Sequence, residues 1–123
     1  MHWLAVAVGG ALGAMARYGV SNIIFSPSSQ KFPWATMSVN VLGSFIMGLL
    51  FVIVVERGAL PAEMRNLLMV GFLGAFTTFS TFSLDALGLW QNGDLFMALV
   101  YALGTVVLCL AAVAAAVWLT GLF

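Results

Sequence analysis

Four long apolar runs, separated only by short polar segments, constrain this chain more than any other feature of its sequence. The runs cover residues 3–25, 34–55, 66–90 and 95–121, and none of them holds more than one charged side chain. A helix of about 20 mostly apolar residues crosses the ~30 Å hydrocarbon core of a bilayer. The sequence therefore predicts an all-α membrane protein in which residues 1–123 form a single domain of four transmembrane helices.

The charged residues are too few and too scattered for a water-soluble or nucleic-acid-binding protein. They make up 7% of the chain, whereas soluble domains carry about 25%. Four Lys and Arg residues do not form the clustered basic surface that phosphates require. A single histidine, His2, and a single cysteine, Cys109, exclude an internal disulfide and argue against a metal cluster or a His-based catalytic set. We therefore expect no enzyme activity.

The basic residues predict no preferred orientation in the membrane. If the N-terminus lies on one side, Arg57 and Arg65 lie on that side too, whereas Lys31 belongs to the other side, together with Arg17 if its long side chain extends that way. Orientation normally follows an excess of Lys and Arg on the cytoplasmic side, and here the two sides balance. The balance fits insertion in both orientations and an antiparallel dimer, or an orientation set by features other than charge.

Polar side chains within the apolar runs each need a partner or a function because an unpaired polar group is costly, and Asn40, Arg17 and Asp85 are the ones considered for a site. Asn40 either forms a hydrogen bond between helices or donates to a permeating anion. Arg17 either extends to the lipid headgroups or provides a cation at the mouth of a vestibule. For Asp85 we expect a position near the interface or a buried hydrogen bond, because a carboxylate within an anion path would repel the anion.

The third run contains a cluster of hydroxyl and phenyl side chains at its centre. Residues 74–83 read Gly-Ala-Phe-Thr-Thr-Phe-Ser-Thr-Phe-Ser. Hydroxyl groups that bond to backbone carbonyls bend helices, and Gly74 relaxes the chain. We expect the helix to be broken here, so that freed carbonyls can bind a cation and hydroxyls can donate to an anion.

Phe76, Phe79 and Phe82 recur at i, i+3 spacing and so share one face of a helix. One interpretation is a stripe packed against lipid or another helix. The alternative depends on the electropositive edge of the phenyl ring, which attracts a small anion without a formal charge. Conduction requires such weak sites, because a fixed Lys or Arg would hold the anion too tightly.

Small residues at four-residue spacing predict closely packed helices. Gly9 and Gly13 form one such pair, and Ser44 and Gly48 form another. Close packing of this kind is typical of membrane helices, and it leaves little space for a pore within one subunit. Transport would then require an oligomer.

Three segments of the chain together resemble the Fluc/CrcB family of bacterial fluoride channels. The most specific is residues 74–83, which end Thr-Thr-Phe-Ser-Thr-Phe-Ser. The others are Gly-Gly-Ala-Leu-Gly-Ala-Met-Ala-Arg-Tyr at residues 9–18 and Thr-Met-Ser-Val-Asn-Val-Leu-Gly at residues 36–43. The resemblance implies a passive, fluoride-specific channel of the bacterial inner membrane that lowers cytoplasmic fluoride and its toxicity.

The resemblance also implies an assembly and a set of pore residues. Members of the family form antiparallel, dual-topology homodimers with two fluoride pores along the interface. Arg17 would correspond to the family's arginine near the vestibule. The residues that would line the pore are Asn40, Phe79, Ser80, Thr81, Phe82, Tyr101 and Thr105.

A structural sodium ion would lie at the helix break of such a dimer. The backbone carbonyls of Gly74 and Thr77 from both subunits would hold it. Two positions depart from the family pattern. Ala75 stands where many relatives repeat glycine, and Cys109 stands where some relatives have serine.

Two other functions fit the sequence less well. Small multidrug-resistance exporters are also short, four-span and dual-topology proteins, but they need a carboxylate in the first span, and residues 3–25 contain none. A non-transporting assembly subunit would explain the small residues but not the hydroxyl cluster.

Overall fold

The computed structural model describes residues 1–25 and 31–121, most of which lie in helices. The helices are α1 (His2–Ile24), α2 (Trp34–Glu56), α3 (residues 62–76), α4 (Phe79–Gln91) and α5 (Leu95–Leu119). Because α3 and α4 are the two halves of one span, Ala62–Gln91, the helices form four spans that are long and apolar enough to cross a membrane. The predicted all-α fold with four transmembrane helices is confirmed.

Local turn chemistry starts and ends these helices. Pro61 directly precedes α3 and has extended backbone angles, and its carbonyl accepts a hydrogen bond from the N–H of Met64 at 3.0 Å. Gly93 has a φ of 84° in the turn before α5, a conformation that side chains other than glycine's rarely adopt. Asp94 caps α5 by accepting a hydrogen bond from the N–H of Met97 at 3.1 Å, which satisfies one of the free donors of a helix N-terminus.

Backbone-to-backbone contact joins α1 to α3. A Cβ atom on Gly9 would overlap the carbonyl oxygen of Leu67, and one on Gly13 would overlap that of Phe72. From the other side, a Cβ on Gly71 would lie 2.9 Å from the carbonyl oxygen of Val6. The Gly9–Gly13 pair therefore fulfils the packing role that small residues have between membrane helices. The facing part of α3, Asn66–Leu73, has π-helical hydrogen bonding.

A second helix pair, α2 and α5, forms the other half of the bundle. A Cβ on Gly48 would lie 2.8 Å from the Cβ of Ala116, so these helices are also in close contact. Tyr101 is fully buried between them and α4, in a cluster with Phe32 and Phe82. Much of the remaining surface is apolar, as expected for a protein surrounded by lipid.

The third span is broken at Thr77 and Thr78, which confirms the predicted interruption. Thr77 has φ −86° and ψ 159°, and Thr78 has φ −153° and ψ 120°, so both are extended between two helical segments. The hydroxyl of Thr77 donates to the carbonyl of Leu73 at 2.9 Å. The hydroxyl of Thr78 accepts from the N–H of Thr81 at 3.2 Å and so caps α4. Extended backbone at this depth requires protein partners or a wet cavity.

Candidate functional site

Asn40 holds the break in place from the neighbouring helix α2. Its side-chain oxygen accepts a hydrogen bond from the N–H of Thr78 at 2.8 Å. Its side-chain nitrogen donates to the carbonyl of Thr78 at 3.0 Å. Both backbone groups that the break exposes at this residue are thereby satisfied. Because an amide carries two N–H donors, Asn40 keeps one for another acceptor.

An open groove of about 360 Å³ runs beside the break, between α2, α4 and α5. Of its lining residues in the described part of the chain, none bears a formal charge. The lining residues with polar or aromatic side chains are Asn40, Ser44, Thr77, Thr78, Phe79, Phe82, Thr105 and Cys109. The groove thus combines neutral hydrogen-bond donors with phenyl rings, at the level where the helix is broken.

Thr105 contributes a buried hydroxyl to this groove. Its side chain is only 4% exposed, and its oxygen has no hydrogen-bond partner among the described residues. Buried polar groups are nearly always hydrogen-bonded, so this hydroxyl has hydrogen-bonding capacity left unused beside the groove.

The break separates the three phenylalanines that share one face in the sequence pattern. Phe76 is buried in α3 and stacks on Phe72 with ring centroids 5.8 Å apart. Phe79 is 77% exposed and Phe82 is 8% exposed, and both line the groove. Their ring centroids are 5.6 Å apart with the planes inclined by 41°. Phe76 therefore has a packing role, whereas Phe79 and Phe82 face the groove.

Three of the predicted pore residues lie outside the groove of the single chain. The hydroxyl of Ser80 is exposed and lies 3.4 Å from that of Thr78. Thr81 is half-buried in the first turn of α4. Tyr101 lies behind Phe82, with ring centroids 5.1 Å apart. These residues follow the broken helix and α5 beyond the groove instead of lining it.

Asp85 belongs to a hydrogen-bonded group that the sequence did not assign to the site. One of its carboxylate oxygens accepts from the hydroxyl of Thr36 at 2.7 Å and from that of Tyr101 at 3.3 Å. The expected hydrogen bond of Asp85 is therefore present, and it is partly buried. Its spacing offered a signal, since Asp85 follows Phe82 by three residues and Thr36 precedes Asn40 by four, so each pair lies on one helix face.

Arg17 contacts the end of α3 beside the break. Its Nε donates to the carbonyl of Ala75 at 3.0 Å, in the last turn of α3. A cation is favourable there because the C-terminus of a helix carries partial negative charge. The carbonyls of Gly74 and Thr77, in contrast, have no donor among the described residues.

The fold and this site define a small, multi-span α-helical membrane protein of the channel or transporter class, in which an interrupted helix borders an uncharged groove. The chain belongs to the CrcB family, since the family model described as "CrcB-like protein, Camphor Resistance (CrcB)" matches residues 4–117. With four spans and bacterial relatives, it is a multi-pass protein of the bacterial inner membrane.

Relatives that resemble the chain over nearly its full length carry the name "Fluoride-specific ion channel FluC". The protein of Saccharophagus degradans is 56% identical over 118 residues, which are 96% of this chain and 88% of the relative. That of Hahella chejuensis is 52% identical over 121 residues, 98% of this chain and 95% of the relative. That of Magnetococcus marinus is 53% identical over 107 residues, 87% of each chain.

Proposed function

We propose that this protein is a fluoride channel that lets fluoride leave the cytoplasm passively. The observation that carries the proposal is the uncharged groove beside the break, lined by phenyl rings and neutral donors, together with the names of the relatives. HF crosses membranes as a neutral molecule and dissociates in a less acidic cytoplasm, so fluoride accumulates there. The membrane potential then drives it out, at about 2.3 kcal/mol per charge for each 100 mV.

The chemistry of the groove suits a small anion that must bind and leave again. The free N–H of Asn40 and the unpartnered hydroxyl of Thr105 are donors. The rings of Phe79 and Phe82 add electropositive edges. Because none of these groups bears a full charge, each holds the anion weakly, and weak sites in series are what conduction requires.

Ser80, Thr81 and Tyr101 extend this path in the assembled channel under the proposal. Ser80 is exposed on α4 and Thr81 is half-buried, so their hydroxyls are placed for an anion that has passed the phenyl rings. The hydroxyl of Tyr101 connects this region to Asp85. Arg17 stands at the break on the opposite side of α3 and raises the local anion concentration by its charge.

The working unit under this proposal is an antiparallel homodimer. A single chain leaves the groove open along one side, and Phe79 is 77% exposed there, so one chain by itself does not enclose a path for an ion. Outside the spans, Arg57 and Arg65 fall on one side of the membrane and Lys31 on the other, a small difference that suits insertion in both orientations. A second copy would close the groove.

A sodium ion at the dimer interface is part of the same proposal. The carbonyls of Gly74 and Thr77 have no donor among the described residues, and Gly74 is exposed. Carbonyl oxygens are suitable ligands for hard cations. Two carbonyls from each subunit would make four ligands, so the ion would join the subunits where both helices are broken. Sodium would serve here as a structural ion.

The decisive experiment measures fluoride efflux from liposomes that contain the purified protein. Addition of valinomycin sets a potassium diffusion potential, and a fluoride electrode records release. The proposal expects rapid fluoride release, with no comparable chloride release and none from protein-free liposomes. Retained fluoride, or equal release of chloride, would refute the proposed function.

Orientation and sodium have separate tests. A terminal cysteine added in a Cys109→Ser background should be labelled from both sides of the membrane, and labelling from one side only would contradict dual topology. Replacing all Na⁺ by N-methylglucamine should reduce fluoride efflux and lower the stability of the dimer. Unchanged efflux and stability would contradict the sodium site.

A further inference from the structure

The single cysteine of the chain lies on the wall of the groove, and we propose that it makes the groove a binding site for soft, thiophilic metal reagents that block the conduction path. The inference rests on the proposed function, because block is defined as loss of fluoride flux. Cys109 is half-buried on α5 and lines the groove. Thiolates and thioethers are the ligands that soft metals prefer.

Two neighbours in the groove support a ligand at this level. Met47, on the facing helix α2, adds a thioether to the same groove. Thr105 precedes Cys109 by four residues and so lies on the same face of α5. Its hydroxyl is buried without a partner among the described residues. This observation does not depend on the cysteine, and it favours a polar or ionic ligand at this level of the groove.

The groove admits a neutral metal reagent. Its lining residues in the described part of the chain are uncharged, so a neutral molecule enters without meeting a fixed ion. In the single chain its volume is about 360 Å³, many times the ~30 Å³ that a water molecule occupies in the liquid. An adduct on Cys109 would occupy the same groove that Asn40, Phe79 and Phe82 line, and would therefore obstruct an ion there.

Methylmercury chloride is a suitable probe because it is neutral and attaches to a thiol with one bond. In the reaction the S–H bond of Cys109 and the Hg–Cl bond break, and an S–Hg bond forms. The proton and the chloride ion pass to water, and no atom is oxidised or reduced. Since the chain contains one cysteine, a thiol adduct of the wild-type protein reports this position alone.

The test measures fluoride efflux and intact mass on the same proteoliposomes, before and after treatment. We expect the mass of each chain to rise by one methylmercury group and efflux to fall by about tenfold or more, because the adduct removes the continuous series of weak sites. Excess dithiothreitol should reverse both changes. Cys109→Ser should gain no mass and should keep the efflux of its own untreated sample.

A matched control places the thiol on the same helix but outside the groove. In the double variant Cys109→Ser/Val107→Cys, the thiol stands at a position that is 62% exposed and does not line the groove. It should take up methylmercury without loss of efflux. An adduct at Cys109 that leaves efflux unchanged would overturn the proposal. So would failure of Cys109 to react under conditions that modify the thiol at position 107, or block that persists in Cys109→Ser.

The two proposals fail in distinguishable ways. Untreated wild-type protein that releases no fluoride would count against the proposed function. In that case the mass measurement still decides whether the thiol in the groove binds the metal. Normal fluoride release that methylmercury does not change would count against the metal site alone.

Discussion

Removing the Asn40 side chain should destabilise the broken conformation of the third span. Asn40→Leu keeps a similar volume but removes the bonds to the N–H and C=O of Thr78, which measure 2.8 and 3.0 Å. Each backbone group left without a partner in a buried site costs about 1–3 kcal/mol, and hydrogen bonds between membrane helices contribute roughly 0.6–2 kcal/mol. We expect a loss of about 2–4 kcal/mol for the pair, or about 30- to 1,000-fold in the equilibrium constant.

The measurement is denaturant unfolding of the protein in detergent micelles, followed by circular dichroism. Ser44→Ala serves as the matched control, because Ser44 lies one turn further along α2, lines the same groove and makes no recorded hydrogen bond among the described residues. We expect this control to stay within about 0.5 kcal/mol of wild type. Wild-type stability of Asn40→Leu would refute the conclusion that Asn40 holds the break.

Three further predictions follow from burial and close contact. Phe79→Ile should abolish most fluoride efflux with little change in unfolding free energy. Phe82→Ile should abolish most efflux and also lose about 1–2 kcal/mol of stability, because the Phe82 ring is buried. Equal stability of the two variants would contradict this difference. Gly13→Ala should destabilise the protein by about 1–3 kcal/mol in the same unfolding assay, since its Cβ would overlap a carbonyl of α3, while Gly19→Ala, which meets nothing within 4 Å, should be neutral or stabilising. Arg17→Met should lower the melting temperature, because it removes a charged hydrogen-bond donor to the end of α3 and such a bond contributes about 1.5–3 kcal/mol. An unchanged melting temperature would show that this bond contributes nothing to stability.

Much of the architecture could be predicted because its causes are local. The number of spans depends on the length and apolar character of each run, which residues near one another in the chain determine. The interruption near Thr77 and Thr78 was also predictable, since hydroxyl side chains compete with the helix for backbone carbonyls. The bond from the Thr77 hydroxyl to the carbonyl of Leu73 is of this kind.

The choice between alternatives required the packed structure. Asn40 and Thr78 are 38 positions apart, and no sequence pattern could pair them. Asp85 could have faced the interface, and only the folded chain shows its carboxylate accepting from Thr36 and Tyr101.

The sequence by itself determined that this protein spans a membrane with four helices and that its third span is interrupted. Hydrophobic length, small-residue spacing and hydroxyl content are properties of single runs of the chain, so the sequence alone predicts their effects. The tertiary structure alone decided that Gly9 and Gly13 meet α3, that Phe76 packs inside while Phe79 faces the groove, and that Arg17 binds the carbonyl of Ala75. Such pairings depend on which helices come into contact, and a contact between distant segments is settled only when the whole bundle packs.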